Sequence, residues 1–211
     1  MRQFGERVAH VPASEAAAPR LHFGALDRRM RSLDALVDEH RAITAMLSIV
    51  EAATSRLERG ENVPPDLFPD ALDFFENFAG GCHHAKEEDV LFPLLAAHGL
   101  GPETGPLLAQ HDAARFQLRH MRAAVERLQG GDPQARDALI PSTRAYVDLL
   151  RAHIRLEDDY YYPLAAQGLS PGEDQRLLDR FDEIERTRTG AGERDRYRRM
   201  IAACQDLVAT W

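Results

Sequence analysis

The residues of this chain that can do chemistry are histidines and glutamates set in a repeat. The segment HHAKEEDVLFPLL begins at His83 and HIRLEDDYYYPLA begins at His153. They align without gaps, pairing His83 with His153, Glu87 with Glu157, Pro93 with Pro163 and Leu94 with Leu164. A helix turns about 100° per residue, so positions i and i+4 share a face, and each His-x3-Glu pair can aim both donors the same way. In the second repeat that face is otherwise apolar: Tyr146, Leu149, Leu150, then His153 and Glu157, then Tyr160 and Leu164. One more histidine on an apolar face precedes each pair, His40 lying 43 residues before His83 and His111 42 residues before His153. A buried carboxylate without a partner costs several kcal/mol, so six inward donors need cations. Imidazole and carboxylate from facing helices are the donor set of di-iron and di-manganese bundle sites, where glutamate can bridge two ions. The expected ligands are therefore His40, His83, Glu87, His111, His153 and Glu157.

Helices must position these donors. Apolar residues Leu33, Leu36, Val37, Ile43, Leu47, Val50 and Leu57 recur at spacings of three and four between about Asp27 and Arg59, and Gly60 ends the run. Further periodic segments span about Asp66–Ala97, Glu103–Gln129 and Pro133–Gln167, each closed by glycine or preceded by proline. Short connectors and the lack of any alternating pattern predict an all-α, antiparallel up-down-up-down four-helix bundle. Depth along the helices agrees with that topology. His40 lies 19 residues before Arg59, and His83 lies 17 after Asp66. At about 1.5 Å per residue the mismatch is a few ångströms, and the same counting levels His111 with His153. The expected organisation is a mobile N-terminal arm over 1–26, the bundle over 27–168, and a helical extension over 169–211 that covers the bundle or forms a homodimer contact.

The string CHHAKEEDVLFP, the DEHR around His40, and the second HxxxE followed by proline together resemble the hemerythrin-like (HHE cation-binding) family, over about residues 30–168. The later FDEIER and RYRRM are similar to a C-terminal extension of bacterial members. The resemblance implies a four-helix bundle binding two non-heme irons, with manganese also suited to the donors, for dioxygen binding, redox or gas sensing, iron handling or peroxide chemistry. Carried over residue by residue, it implies the same six ligands. Two departures stand out. Oxygen-carrying members have a further histidine where this chain has Arg115, and their last carboxylate is an aspartate five residues after its histidine rather than Glu157 at four. A missing fifth imidazole implies open positions where dioxygen, peroxide or nitric oxide could react.

Other residues have plainer readings. His84 with Glu88 mimics the His-x3-Glu spacing, but the repeat selects His83, because position 154 is Ile; Glu88 then faces a neighbour or solvent. Tyr146 and Glu76 each precede an inner histidine by seven residues and could fill an open position or hydrogen-bond a ligand; as core tyrosine and boundary glutamate they need no such role. Tyr160, Tyr161 and Tyr162 read as core and rim, and Leu36, Ile43, Leu107 and Tyr160 as the apolar surround of the centre. Gly80 and Gly81 would each cost about 1 kcal/mol inside a helix, which predicts a kink or a close contact there. Pro93 and Pro163 bend their helices. His10, His22, His98 and His120 fall outside the pattern. Cys82 and Cys204 read as reduced core thiols, and the arginines from Arg194 to Arg199 as a solvated helix face.

A net charge of −8 argues against nucleic acid. No run is apolar enough to cross a membrane or to serve as a secretory signal, so a cytoplasmic location is expected. The leading expectation is a non-heme di-iron protein that reacts with or senses dioxygen, peroxide or nitric oxide, with peroxide consumption as its conceivable enzymatic activity. Its rivals are an iron-binding or oxygen-storage module without turnover and a metal-free helical interaction protein.

Overall fold

The computed structural model describes residues 30–190 and 192–211, so the N-terminal arm over 1–26 lies outside the described residues. Among them the fold is all-helical, with no strand. Helix α1 is Arg31–Glu58, α2 covers residues 67–95, α3 is Gly101–Gln129, α4 covers residues 135–168, α5 covers residues 171–189 and α6 is Glu193–Val208. Helix α1 packs on α2 and α4, and α3 on α2 and α4, while α5 and α6 both lie against α1. Gly60 at φ +76° ends α1, its N–H donating to Leu57 O and that of Glu61 to Arg56 O. Only glycine adopts this left-handed turn without strain. The first turn of α1 is closed from a distance: Asp174 of α5 accepts from the N–H groups of Arg31 and Ser32 at 3.2 and 2.9 Å and from the Ser32 hydroxyl at 2.6 Å.

The two helices in which glycines and prolines predict kinks or bends contain wide turns, hydrogen-bonded to the fifth residue back. In α2 these occupy Phe74–His84 and Glu87–Leu91, and in α4 Glu157–Tyr161. The N–H of Phe92 donates to Glu87 O, and that of Tyr162 to Glu157 O. Each of these residues precedes a proline, which has no N–H to continue the four-residue ladder. Widened turns of this kind often occur at functional sites, and here the repeat builds the same one twice, starting at each glutamate. Gly80 and Gly81 belong to the first wide stretch, where a Cβ at 81 would lie 3.3 Å from the Glu76 carbonyl oxygen.

The wide turn of α4 overturns one expectation. A regular helix would keep Tyr160 on the inner face after Glu157. The extra residue per turn instead buries Tyr161, Tyr162 and Ala165 and leaves Tyr160 53% exposed.

The core divides into two apolar clusters. One includes Ile43, Leu47, Val50, Phe74, Phe75, Phe78, Ala114, Tyr146 and Leu150. The other includes Leu33, Leu36, Leu91, Phe92, Leu107, Tyr161 and Tyr162. The extension covers both, through Tyr197 and Ile201 on the first and Leu177 and Phe181 on the second, and these faces are buried within the single chain. His40, His83, Glu87, His111, His153 and Glu157 occupy the layer between the two clusters, where each of the first four helices passes from one to the other.

Candidate metal centre

All six sequence-predicted donors are buried together. They form two groups that share Glu87, each with its donor atoms within 4.8 Å of one another. The first is His40, His83, Glu87 and Glu157; the second is His84, Glu87, His111 and His153. Glu157 Oε2 lies 3.2 Å from His40 Nε2 within the first group and also approaches the second, 3.1 Å from His153 Nε2. Glu87 Oε2 lies 3.4 Å from His111 Nε2 and 3.6 Å from His83 Nε2.

Each of the four expected imidazoles is held from behind by an oxygen on Nδ1. The partners are Asp158 for His40 at 2.7 Å, Glu39 for His83 at 3.0 Å, Glu88 for His111 at 2.6 Å and Gln110 for His153 at 2.9 Å. Such contacts fix which nitrogen carries the proton and turn the lone pair of Nε2 inward, as in metal-ligating histidines. His111 Nε2 and His153 Nε2 stand 3.1 Å apart. Tyr162 completes the layer: its ring stacks on His40 at 5.4 Å between centroids, and its hydroxyl donates to Glu87 Oε1 at 2.6 Å.

The inward atoms need a cation. His83 Nε2, His84 Nδ1, Glu87 Oε2 and both carboxylate oxygens of Glu157 are buried without a hydrogen-bond partner. Burial pushes the Glu157 carboxyl well above its ordinary range, and the charge of Glu87 adds to that push. Glu87 is opposed by the same burial, yet His83, His111, His153 and His40 draw it down to about 2. For His40, burial favours the neutral ring, but Asp158 and Glu157 outweigh it and raise the pKa to about 10. Burial carries His153 down to about 3. Positive charge between the carboxylates would let both ionise and give the orphaned atoms a partner, so the residues present fit metal ions.

Several residues resolve alternatives that their spacing left open. Glu88 is no bystander, because it grips both His111 and Arg115. His84 stacks on His111 at 3.9 Å inside the second donor group. Tyr146 packs on Phe75 in the first apolar cluster, and Glu76 pairs with Arg122 at 2.6 Å near the surface; neither belongs to a donor group. Leu36, Ile43 and Leu107 line the core as expected, but exposed Tyr160 does not.

The extension reaches the centre through charge. Buried Glu39, which holds His83, also accepts from Lys86 and Arg194, and both cations meet Glu185 as well. Burial opposes the ionised form of Glu39, but His83 and Lys86 hold its pKa near 2. Arg196 ties α6 to Asp73 of α2 at 2.6 Å. Arg194 and Arg196 are thus structural clamps rather than a purely solvated face, a role that helical spacing does not reveal. Cys82 and Cys204 are free thiols. His98 pairs with Glu173 at 2.9 Å and His120 packs on Phe116, both away from the centre, while His10 and His22 lie outside the described residues.

No curated protein and no solved structure matches the chain. A family comparison does: the pattern described as the Hemerythrin HHE cation binding domain matches residues 31–165, a span that runs from the start of α1 through the second His-x3-Glu and its proline. With that match over more than half of its length, the chain belongs to the hemerythrin HHE cation-binding family.

Proposed function

We propose that the chain is a cytoplasmic non-heme di-iron protein that reacts with or senses dioxygen, peroxide or nitric oxide. The observation that carries this reading is the pair of donor groups sharing Glu87, with inward nitrogens and carboxylate oxygens that have no partner of their own. One ion would be held by His40 and His83, the other by His111 and His153, with Glu87 and Glu157 between them. The donor set accepts manganese as well as iron. The four-helix order we infer is antiparallel up-down-up-down. Its support is the opposite running sense of paired charges: Glu51 with Arg151 and Glu58 with Arg144 between α1 and α4, and Glu76 with Arg122 and Glu88 with Arg115 between α2 and α3.

Bound iron would supply electrons and a Lewis-acid position for a small oxidant. The chain's residues do the rest. The oxygen partners on Nδ1 keep the four imidazoles in one orientation. The apolar clusters on either side of the layer limit water at the centre. The Tyr162 hydroxyl, its oxygen 2.6 Å from Glu87 Oε1, donates a hydrogen bond to the shared carboxylate and tempers its charge.

Protein from iron-supplied cells should carry about two iron ions per chain, as six donors with bridging carboxylates imply. His83→Ala or Glu157→Ala should lower that content. Folded wild type that takes up no Fe(II) anaerobically would overturn the reading. For reactivity, the reduced protein is exposed to oxygen and the gas is then removed while absorption is followed. We expect oxidation without spectral return, together with peroxide consumption. Full return with no peroxide turnover would assign the chain to reversible oxygen storage.

A further inference from the structure

We propose that His84 is a seventh protein donor, supplying the second metal ion with a third imidazole beside His111, His153 and Glu87. The inference rests on the two-ion reading above and extends it. Spacing alone favours His83 over His84, because only His83 has a counterpart in the second repeat. The wide turns of α2 change the geometry. With more than four residues per turn across Phe74–His84, adjacent His83 and His84 both enter the buried layer, one on each side of Glu87. His83 joins the group of His40 and Glu157; His84 joins that of His111 and His153.

The hydrogen bonding of His84 separates it from an ordinary core histidine. The Nδ1 atoms of the other four imidazoles each meet an oxygen, whereas Nδ1 of His84 is buried with no partner. A buried polar nitrogen left unsatisfied is costly, because it loses its hydrogen bond to water and gains none in return. Its ring neighbours are themselves donors: His111 stacked at 3.9 Å and His153 edge-on at 5.8 Å. A metal ion shared with those residues satisfies the ring. The consequence is asymmetry. With Glu87 and Glu157 both between the ions, the first would have two imidazoles and the second three. Open positions for an exogenous ligand then belong chiefly to the first ion, on the side of His40 and Tyr162. The shortage of imidazole that Arg115 suggests in the sequence is made good from α2.

The test uses the full chain and Fe(II) under anaerobic conditions. His84→Leu keeps the apolar volume and removes both nitrogens. It should retain the first ion and bind the second about 100-fold more weakly, at the upper end of what losing even an outer partner of a ligand causes. Binding is read by competition with a chelator, and circular dichroism checks the fold. His84→Gln, which keeps an amide donor, should recover part of the affinity. Wild type offers a reading that does not depend on any variant: each ligating imidazole carries an exchangeable N–H shifted by the paramagnetic iron, and five such proton resonances are expected. Two ions bound by wild type with four such resonances, or unchanged second-ion affinity in His84→Leu, would overturn the role of His84 and leave the two-ion reading intact. Wild type that binds no iron would overturn both.

Discussion

Glu88 is shared between His111 Nδ1, at 2.6 Å, and the guanidinium of Arg115. Arg115 therefore does more than occupy a helix position without an imidazole; it braces the carboxylate that orients a ligand. Glu88→Ala should lower metal affinity about 10–100-fold with the fold intact, the range known for partners behind a metal-bound histidine. Chelator competition checks this, and an unchanged affinity would mean that His111 is held by packing alone. Tyr162 acts on the other side of the layer. Without its hydroxyl, Glu87 carries more negative charge, which favours the oxidised metal. Tyr162→Phe should keep the metal content but lower the reduction potential, measurable by spectroelectrochemistry; a raised potential would contradict the donor role assigned to Tyr162.

Between elements, Asp174 ties α5 to the start of α1. Burial works against its charge, but the Ser32 hydroxyl and backbone and the Arg31 backbone hold its pKa below the ordinary 3.8. A depressed carboxyl pKa contributes stability that is complete above the unfolded value and is lost as the pH falls through the folded one. Asp174→Asn should thus cost about 1–2 kcal/mol at neutral pH. The gap from wild type should close below about pH 4. Urea melts at pH 7 and pH 3 test this; a gap that stays constant would show that the charge of Asp174 is not what matters. The wide turns at Glu87 and Glu157 are the other event at this scale. Each puts a glutamate and the aromatic residue five places on, Phe92 or Tyr162, into one buried layer.

Across the whole molecule, the extension is coupled to the centre through Lys86. This lysine is buried between Glu39, Glu185 and the ring of Phe181, so the charge that holds His83 depends on α5 and α6. Removing one partner of a buried ion pair strands the other. Lys86→Met should therefore destabilise the chain by about 3 kcal/mol. The double variant with Glu39→Gln should be less destabilised than Lys86→Met alone, because no buried charge is then left short of partners. If the two effects simply add in denaturant melts, the network contributes through packing rather than charge.

The donor chemistry and its approximate depth were legible in the sequence, because a repeat with i,i+4 spacing and matched distances to helix ends constrains residue type and level at once. The all-helical class followed from the same periodicity, and the family resemblance from the strings around His40, His83 and His153. What periodicity cannot carry is a change of period. The wide turn after Glu157 moved Tyr160 outward and Tyr162 inward, and the wide turns over Phe74–His84 brought His84 beside His111, since an added residue per turn rotates everything that follows it. Contacts between distant segments were equally out of reach. Asp174 capping α1, Glu88 joining His111 to Arg115, and Arg194 meeting Glu39 follow no local pattern, because partners far apart in the chain meet only when packing sets the helices side by side. The sequence by itself determined which atoms are available to hold metal, and only the tertiary structure decided which of them point inward and what holds each in place.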